Sequence, residues 1–203
     1  MDSFFNTVTH RWPEGREDYH WHILPPAGIR NALFESYKNL TLRENLAPVQ
    51  PEWYHVTLLH SGPVSEITDD EIAAITEQVR KQCATIAPFD LTLDRPSVGT
   101  VALECAGRPG EPARRLWEIT AKATAAVTGE RFPLIPPVYY PHASIAYATG
   151  PVPDRRDMKA WLSDCPTQPV TFTAENISLV AQSHDGREIT WRHVASVPLG
   201  TAS

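Results

Sequence analysis

Apolar residues follow two different periods along this chain, and each change of period marks an element. Ile29, Leu33, Tyr37 and Leu40 recur at helical spacing and predict a helix over 28–40. Thr68 and Glu71 form a capping box, and Asp69 and Asp70 favour the positive end of the helix they open. Ile72, Ile75, Val79, Cys83 and Ile86 then line one face. A third helix is predicted from Pro112 to a stop at Gly129, with Leu116, Ile119, Ala123 and Val127 as its buried stripe. A short fourth is expected near 154–163, capped by Asp154. Between the helices lie strand-like runs: DYHWHILPP (18–26), EWYHVTLLHSG (52–62), FDLTLDR (89–95), GTVALEC (99–105) and PHASIAYAT (141–149). The chain closes on TAENISLVAQ and EITWRHVASVPL, a hairpin around SHDGRE. This order predicts an α+β fold, mainly antiparallel sheet with helices packed outside.

Composition narrows the class. The chain has 203 residues, 42% of them hydrophobic and 21% charged, which suits one ordinary globular domain or two small lobes sharing a core. No stretch reaches the roughly 20 apolar residues of a membrane span, and the first residues lack the apolar segment of a secretory signal. Cys83, Cys105 and Cys165 are scattered, without a C-x-x-C, which favours reduced thiols and the cytoplasm. The net charge of −6 argues against wrapping long duplex nucleic acid, which needs clustered Lys and Arg, but leaves room for a nucleotide or an RNA end. The 19 prolines are spread out, as in a fold with many sharp loops rather than a linker.

The chemistry gathers around YHVTLLH, 54–60. On a regular strand His55, Thr57 and Leu59 face one way, and Val56, Leu58 and His60 the other. His55 and Thr57 are then neighbours about 7 Å apart, while His55 and His60 diverge and make a poor metal pair. A matching run, HAS, places His142 and Ser144 at the same spacing. Both histidines follow aromatic residues, EWYH and VYYPH, and both runs continue apolar. The His-x-Thr/Ser pattern alone is unspecific. Its meaning comes from the strand context and from a separation of nearly half the chain. Read from the residues alone, two unrelated strands with ordinary histidines remain the alternative.

These two motifs resemble those of the two-histidine phosphoesterase superfamily, which includes bacterial 2′-5′ RNA ligase-like proteins and 2′,3′-cyclic phosphodiesterases. WYHVTLLHSG resembles the first family motif, PHASIAY the second, and ISLVAQS…ITWRHVASVPL the terminal strands, so the resemblance covers about 18–199. Ser144 replaces the family's Thr but keeps the hydroxyl. The resemblance implies a single bilobal domain over 1–203, with approximate lobes 18–100 and 101–199 related by a pseudo-two-fold axis around a cleft. It implies that His55 and His142 act as an acid/base pair and that Thr57 and Ser144 hold the phosphate, with no metal or other cofactor. Imidazoles suit the task because they titrate near neutral pH, and hydroxyl donors favour charge spread over the phosphoryl oxygens. The expected activity is a metal-independent phosphodiesterase on 2′,3′-cyclic phosphates or 2′-5′ linkages of nucleotides or RNA ends. A binding module with little turnover, or a tailoring enzyme acting on a small molecule, would use the same scaffold. A monomer is expected.

Other residues are weaker candidates. His22, Tyr54 and Tyr140 are assigned to substrate binding, and Trp53 and Tyr139 either stack on a base or fill the cleft wall. His20 and His22 share a strand face, but no third ligand commits them to a metal. By alternation Tyr147 faces away from His142, into the core. Arg114, Arg115, Arg131 and Arg187 are candidate phosphate contacts.

Overall fold

The structure is a computed structural model, and it describes residues 1–152, 155–165 and 169–200. Two antiparallel sheets carry it. Strands β1 (Asp18–Ile23), β3 (Val56–Pro63), β8 (Asn176–His184) and β9 (Ile189–Pro198) form one, in the order β3-β1-β8-β9. Strands β2 (Leu46–Pro48), β4 (Phe89–Val98), β5 (Ala102–Arg108), β6 (His142–Ala148) and β7 (Val170–Ala174) form the other, in the order β2-β6-β5-β4-β7. Helices α3 (Asp69–Cys83) and α4 (Gly110–Thr128) cover the first sheet, packing on β9 and β3. Helices α2 (Ala27–Thr41) and α5 (Arg155–Asp164) cover the second. The buried side chains of both layers merge into one cluster.

The fold is the α+β arrangement expected, but the lobes do not divide near residue 100. The first sheet takes strands from both ends of the chain and the second takes the middle. Hydrophobic pattern gives each strand its faces but not its neighbours, and the neighbours decide the lobes. Several boundaries also move. A 3₁₀ turn at Pro51–Trp53 precedes β3, so His55 sits one residue before the ladder. Strand β4 continues through Pro96 to Val98, its register with β5 slipping between Leu93 and Pro96. The predicted loop AGRPGEP is absorbed into β5 and the start of α4. Strand β2, strand β7 and the short helix α1 (Phe4–Val8) escape the sequence pattern because each is brief. The capping box at α3 is present as predicted, Thr68 Oγ1 accepting from the Glu71 amide and Glu71 from the Thr68 amide. The expected cap Asp154 lies outside the described residues.

Candidate active site

Two β-bulges build the site. Along β3, Trp21 faces Leu59 and His22 faces Thr57, which leaves Leu58 with no residue opposite. A bulge of this kind reverses the alternation beyond it. His60 therefore returns to the face of His55 and Thr57, contrary to the simple strand reading, and lines the same cavity. Along β6 the same thing happens. Leu103 faces Ala146 and Glu104 faces Ser144, so Ile145 is the extra residue. Tyr147 is thereby turned to the side of His142 and Ser144, where it lines the cavity while staying buried in the core cluster. Each strand thus presents a histidine, a hydroxyl two residues on, and a ring five residues on: His55, Thr57 and His60 on one sheet, His142, Ser144 and Tyr147 on the other.

The two leading histidines are anchored alike. The Nδ1 of His55 donates to the Trp53 carbonyl (2.8 Å) and that of His142 to the Tyr140 carbonyl (3.2 Å). A carbonyl can only accept, so both rings carry a proton on Nδ1 and leave Nε2 for the cleft. Their surroundings differ. His55 is 7% exposed, and burial lowers its pKa to about 4, against a smaller upward pull from the Trp53 carbonyl; the His142 charge lowers it further. His142 is half-buried, with Tyr140 stacked on it at 4.7 Å.

These groups converge on a cavity of about 230 Å³, at the small end for a ligand site. The N-terminal segment closes one end: Phe5 packs on Tyr147 of the second sheet (5.7 Å) and on His184 of the first (5.2 Å). Phe4, Val8, Arg11 and Trp12 add to that wall. The loop before β6 closes one side, with Ile135 bridged to His60 by an amide-to-carbonyl bond of 2.8 Å. Gly62 makes this approach possible. Its φ is +128°, and a Cβ there would lie 2.7 Å from the Phe132 ring.

Behind His60 stands a buried ion cluster. Asp18 is fully buried and accepts from Arg16 Nε and Nη2 (both 2.7 Å) and from His60 Nε2 (2.5 Å). His20 stacks on His60 at 4.4 Å. On the second sheet Glu104 also lines the cavity, beside Ser144 and Tyr147.

The structure brings His55, Thr57, His142 and Ser144 together, and it relocates two expected substrate contacts. Tyr54 is 1% exposed and belongs to the core; the 3₁₀ turn before it points it inward and it does not line the cavity. His22 is fully buried beneath His55, stacked at 4.1 Å, with Trp191 against its edge, so it supports the site rather than touching substrate. Tyr140 stays at the rim, exposed. Tyr139 lines the cavity wall. None of the four candidate arginines lines it. Arg131 pairs with Glu71, Arg114 with Glu118, Arg187 lies in the β8–β9 turn, and Arg115 borders a groove between α3 and α4. His60, Glu104, Gln182 and the N-terminal residues were not predicted, because strand pairing places them, and a pattern along one strand does not carry it.

Solved structures share this architecture. TT0787 of Thermus thermophilus superposes with a TM-score of 0.72 at 20% identity, covering 92% of this chain and 100% of that one. LigT of E. coli in complex with ATP gives 0.66 at 18% identity, covering 92% and 99%. The same protein in complex with 3′-AMP gives 0.69 at 16% identity, covering 91% and 98%. The fold is that of a two-histidine phosphoesterase. The model of the 2′-5′ RNA ligase superfamily matches residues 25–186, and the chain belongs to that family. No curated protein matches it significantly. Membership supports phosphodiesterase-type activity in general. Among the described residues no helix is long and apolar enough to cross a membrane.

Proposed function

We propose that this protein is a phosphodiesterase that opens 2′,3′-cyclic phosphates of nucleotides or RNA ends. The observation that carries the proposal is the matched pair of motifs: two imidazoles, each anchored through Nδ1, each followed by a hydroxyl, facing one cavity. His55 is the base. Burial keeps it unprotonated at neutral pH with Nε2 free, so it takes a proton from the attacking water. His142, more open to water, acts in its doubly protonated form: it keeps the Nδ1 proton on the Tyr140 carbonyl and donates the Nε2 proton to the ribose oxygen that leaves. The water oxygen bonds to phosphorus, the P–O bond to the departing ribose oxygen breaks, and the product is a phosphomonoester. Thr57 and Ser144 hydroxyls donate to the non-bridging oxygens, where charge spreads in the transition state. The family model and the LigT complex with 3′-AMP support a nucleotide substrate. The small, end-closed cavity favours a mononucleotide or a chain terminus over long nucleic acid. Buried, unpaired Cys83 and Cys105 suit a reducing compartment such as the cytoplasm.

The test is hydrolysis of the four 2′,3′-cyclic nucleotides and of a short RNA with a cyclic-phosphate end, with and without EDTA. Wild type is run beside His55→Ala and His142→Ala. Turnover that survives EDTA and collapses in both variants is expected. Absence of turnover on every substrate by folded wild type refutes the assignment.

A further inference from the structure

Gln182 is 3% exposed and lines the catalytic cavity, yet its buried Oε1 has no hydrogen-bond partner among the described residues. The hydroxyl of Tyr139, which also lines the cavity, is buried and unpartnered in the same way. Buried polar groups are nearly always paired, so the unpaired Gln182 amide in the cavity wall is a group that can turn toward a ligand. Their position is specific. Gln182 on β8 stands opposite Asp18 on β1, whereas Thr57 stands opposite His22. Four residues of β1 separate these rows, about 13 Å of strand. The phosphate-holding hydroxyl and the Gln182 amide therefore lie at two ends of one trough, spaced for a nucleoside once side chains reach inward. Between them lie His20 and His60, and the cavity lining also includes the apolar Val8, Trp12, Ile135, Pro136 and Ile189.

We propose that Gln182, with Tyr139, is the base-recognition subsite of this chain. It reads the edge of a nucleobase whose phosphate is held at Thr57 and Ser144. A flat group with apolar faces and a polar edge matches apolar walls and an amide that offers one donor side and one acceptor side. Trp12 and Val8 belong to the N-terminal segment, which precedes the residues matched by the family model. The proposal rests on the nucleotide-phosphodiesterase reading above and adds which residues choose the base.

The experiment compares kcat/KM for the four 2′,3′-cyclic nucleotides with that for methyl riboside 2,3-cyclic phosphate, which lacks a base. Wild type is expected to favour at least one nucleotide over the base-free compound by roughly tenfold to a hundredfold. In Gln182→Leu that ratio falls toward one. In Gln182→Glu, which keeps the volume but removes the donor, the ranking of the four bases changes. A wild-type ratio near one overturns the proposal, as does a Gln182→Leu ratio equal to wild type. Should Gln182→Leu fail to fold, Gln182→Glu and Tyr139→Phe carry the same comparison. If wild type turns over none of these compounds, the phosphodiesterase reading fails separately. Calorimetric binding of nucleoside 3′-monophosphates and methyl riboside 3-phosphate then decides the subsite. A preference for the base-bearing ligand that Gln182→Leu loses supports it, and equal binding refutes it.

Discussion

Acid should unfold this protein through its histidines before its carboxylates. His20, His22 and His55 are all buried, and burial is the first cause lowering each pKa. A histidine depressed in the folded state takes up protons in the unfolded state first. Its contribution is present above the unfolded value, about 6.5, and is lost as pH falls toward the folded value. For His55, folded at about 4, the loss between about pH 7 and about pH 5 is about 2 kcal/mol. His20 and His22 are lowered well below the ordinary value and add losses of the same sign in the same window. The His55 share alone is a sizeable part of a typical domain stability of about 5–15 kcal/mol. The depressed carboxyls, Glu71 and Asp185, lose their contribution only below this window, while Glu188, raised by burial, acts in the opposite sense. His22 is the place to perturb, since neither ring nitrogen has a partner among the described residues and the ring lies flat against His55. His22→Phe keeps a flat ring and removes one titration. Urea unfolding followed by tryptophan fluorescence at about pH 7, 6 and 5 gives the slopes. Wild type should lose stability steeply, and His22→Phe less steeply by about 1 kcal/mol per pH unit, the average for one histidine across this window. A flat wild-type profile, or identical slopes for the two proteins, refutes the reasoning.

Three further outcomes follow from the site. Activity per folded molecule should hold down to about pH 5 and fall only as His55 gains its proton near pH 4, in stopped assays corrected for the unfolded fraction. Thr57→Val and Ser144→Ala should each lower kcat/KM by about a hundredfold while leaving thermal melting near wild type; equal kinetics would remove the hydroxyls from the mechanism. Gly62→Ala should destabilise by about 2 kcal/mol, read as a lowered urea midpoint, because the backbone there has positive φ and the new Cβ meets Phe132.

The parts of the fold that were legible in the sequence are local. The Thr68–Glu71 box and the Ile75–Val79–Cys83 stripe define α3 without outside help, because capping and helical periodicity are settled within one turn or two. His55 with Thr57 and His142 with Ser144 were legible for the same reason, two residues being too short a span for a register slip to intervene. His60 and Tyr147 were misplaced because Leu58 and Ile145 are extra residues only relative to β1 and β5, and a bulge exists only between two strands. Tyr54 read as a cleft residue because aromatic residues beside a catalytic histidine suit either role, and the turn at Pro51–Trp53 decides between them. Glu104 and Gln182 carry no signal of their own. They become site residues because their strands are neighbours of β6 and β1.

The interleaving of the two sheets also sets an order of events during synthesis. The ring of His184 donates to the Trp12 carbonyl across 172 residues of sequence, and β1 finds its second neighbour only in β8. The second sheet can assemble from the middle of the chain while the ribosome is still working. The first cannot, and β1 and β3 wait as an unfinished ribbon with three buried-to-be histidines in water. The cleft therefore comes into existence last, when residues 176–198 arrive. Any truncation before them should yield a half-built protein whose exposed β1 edge invites aggregation.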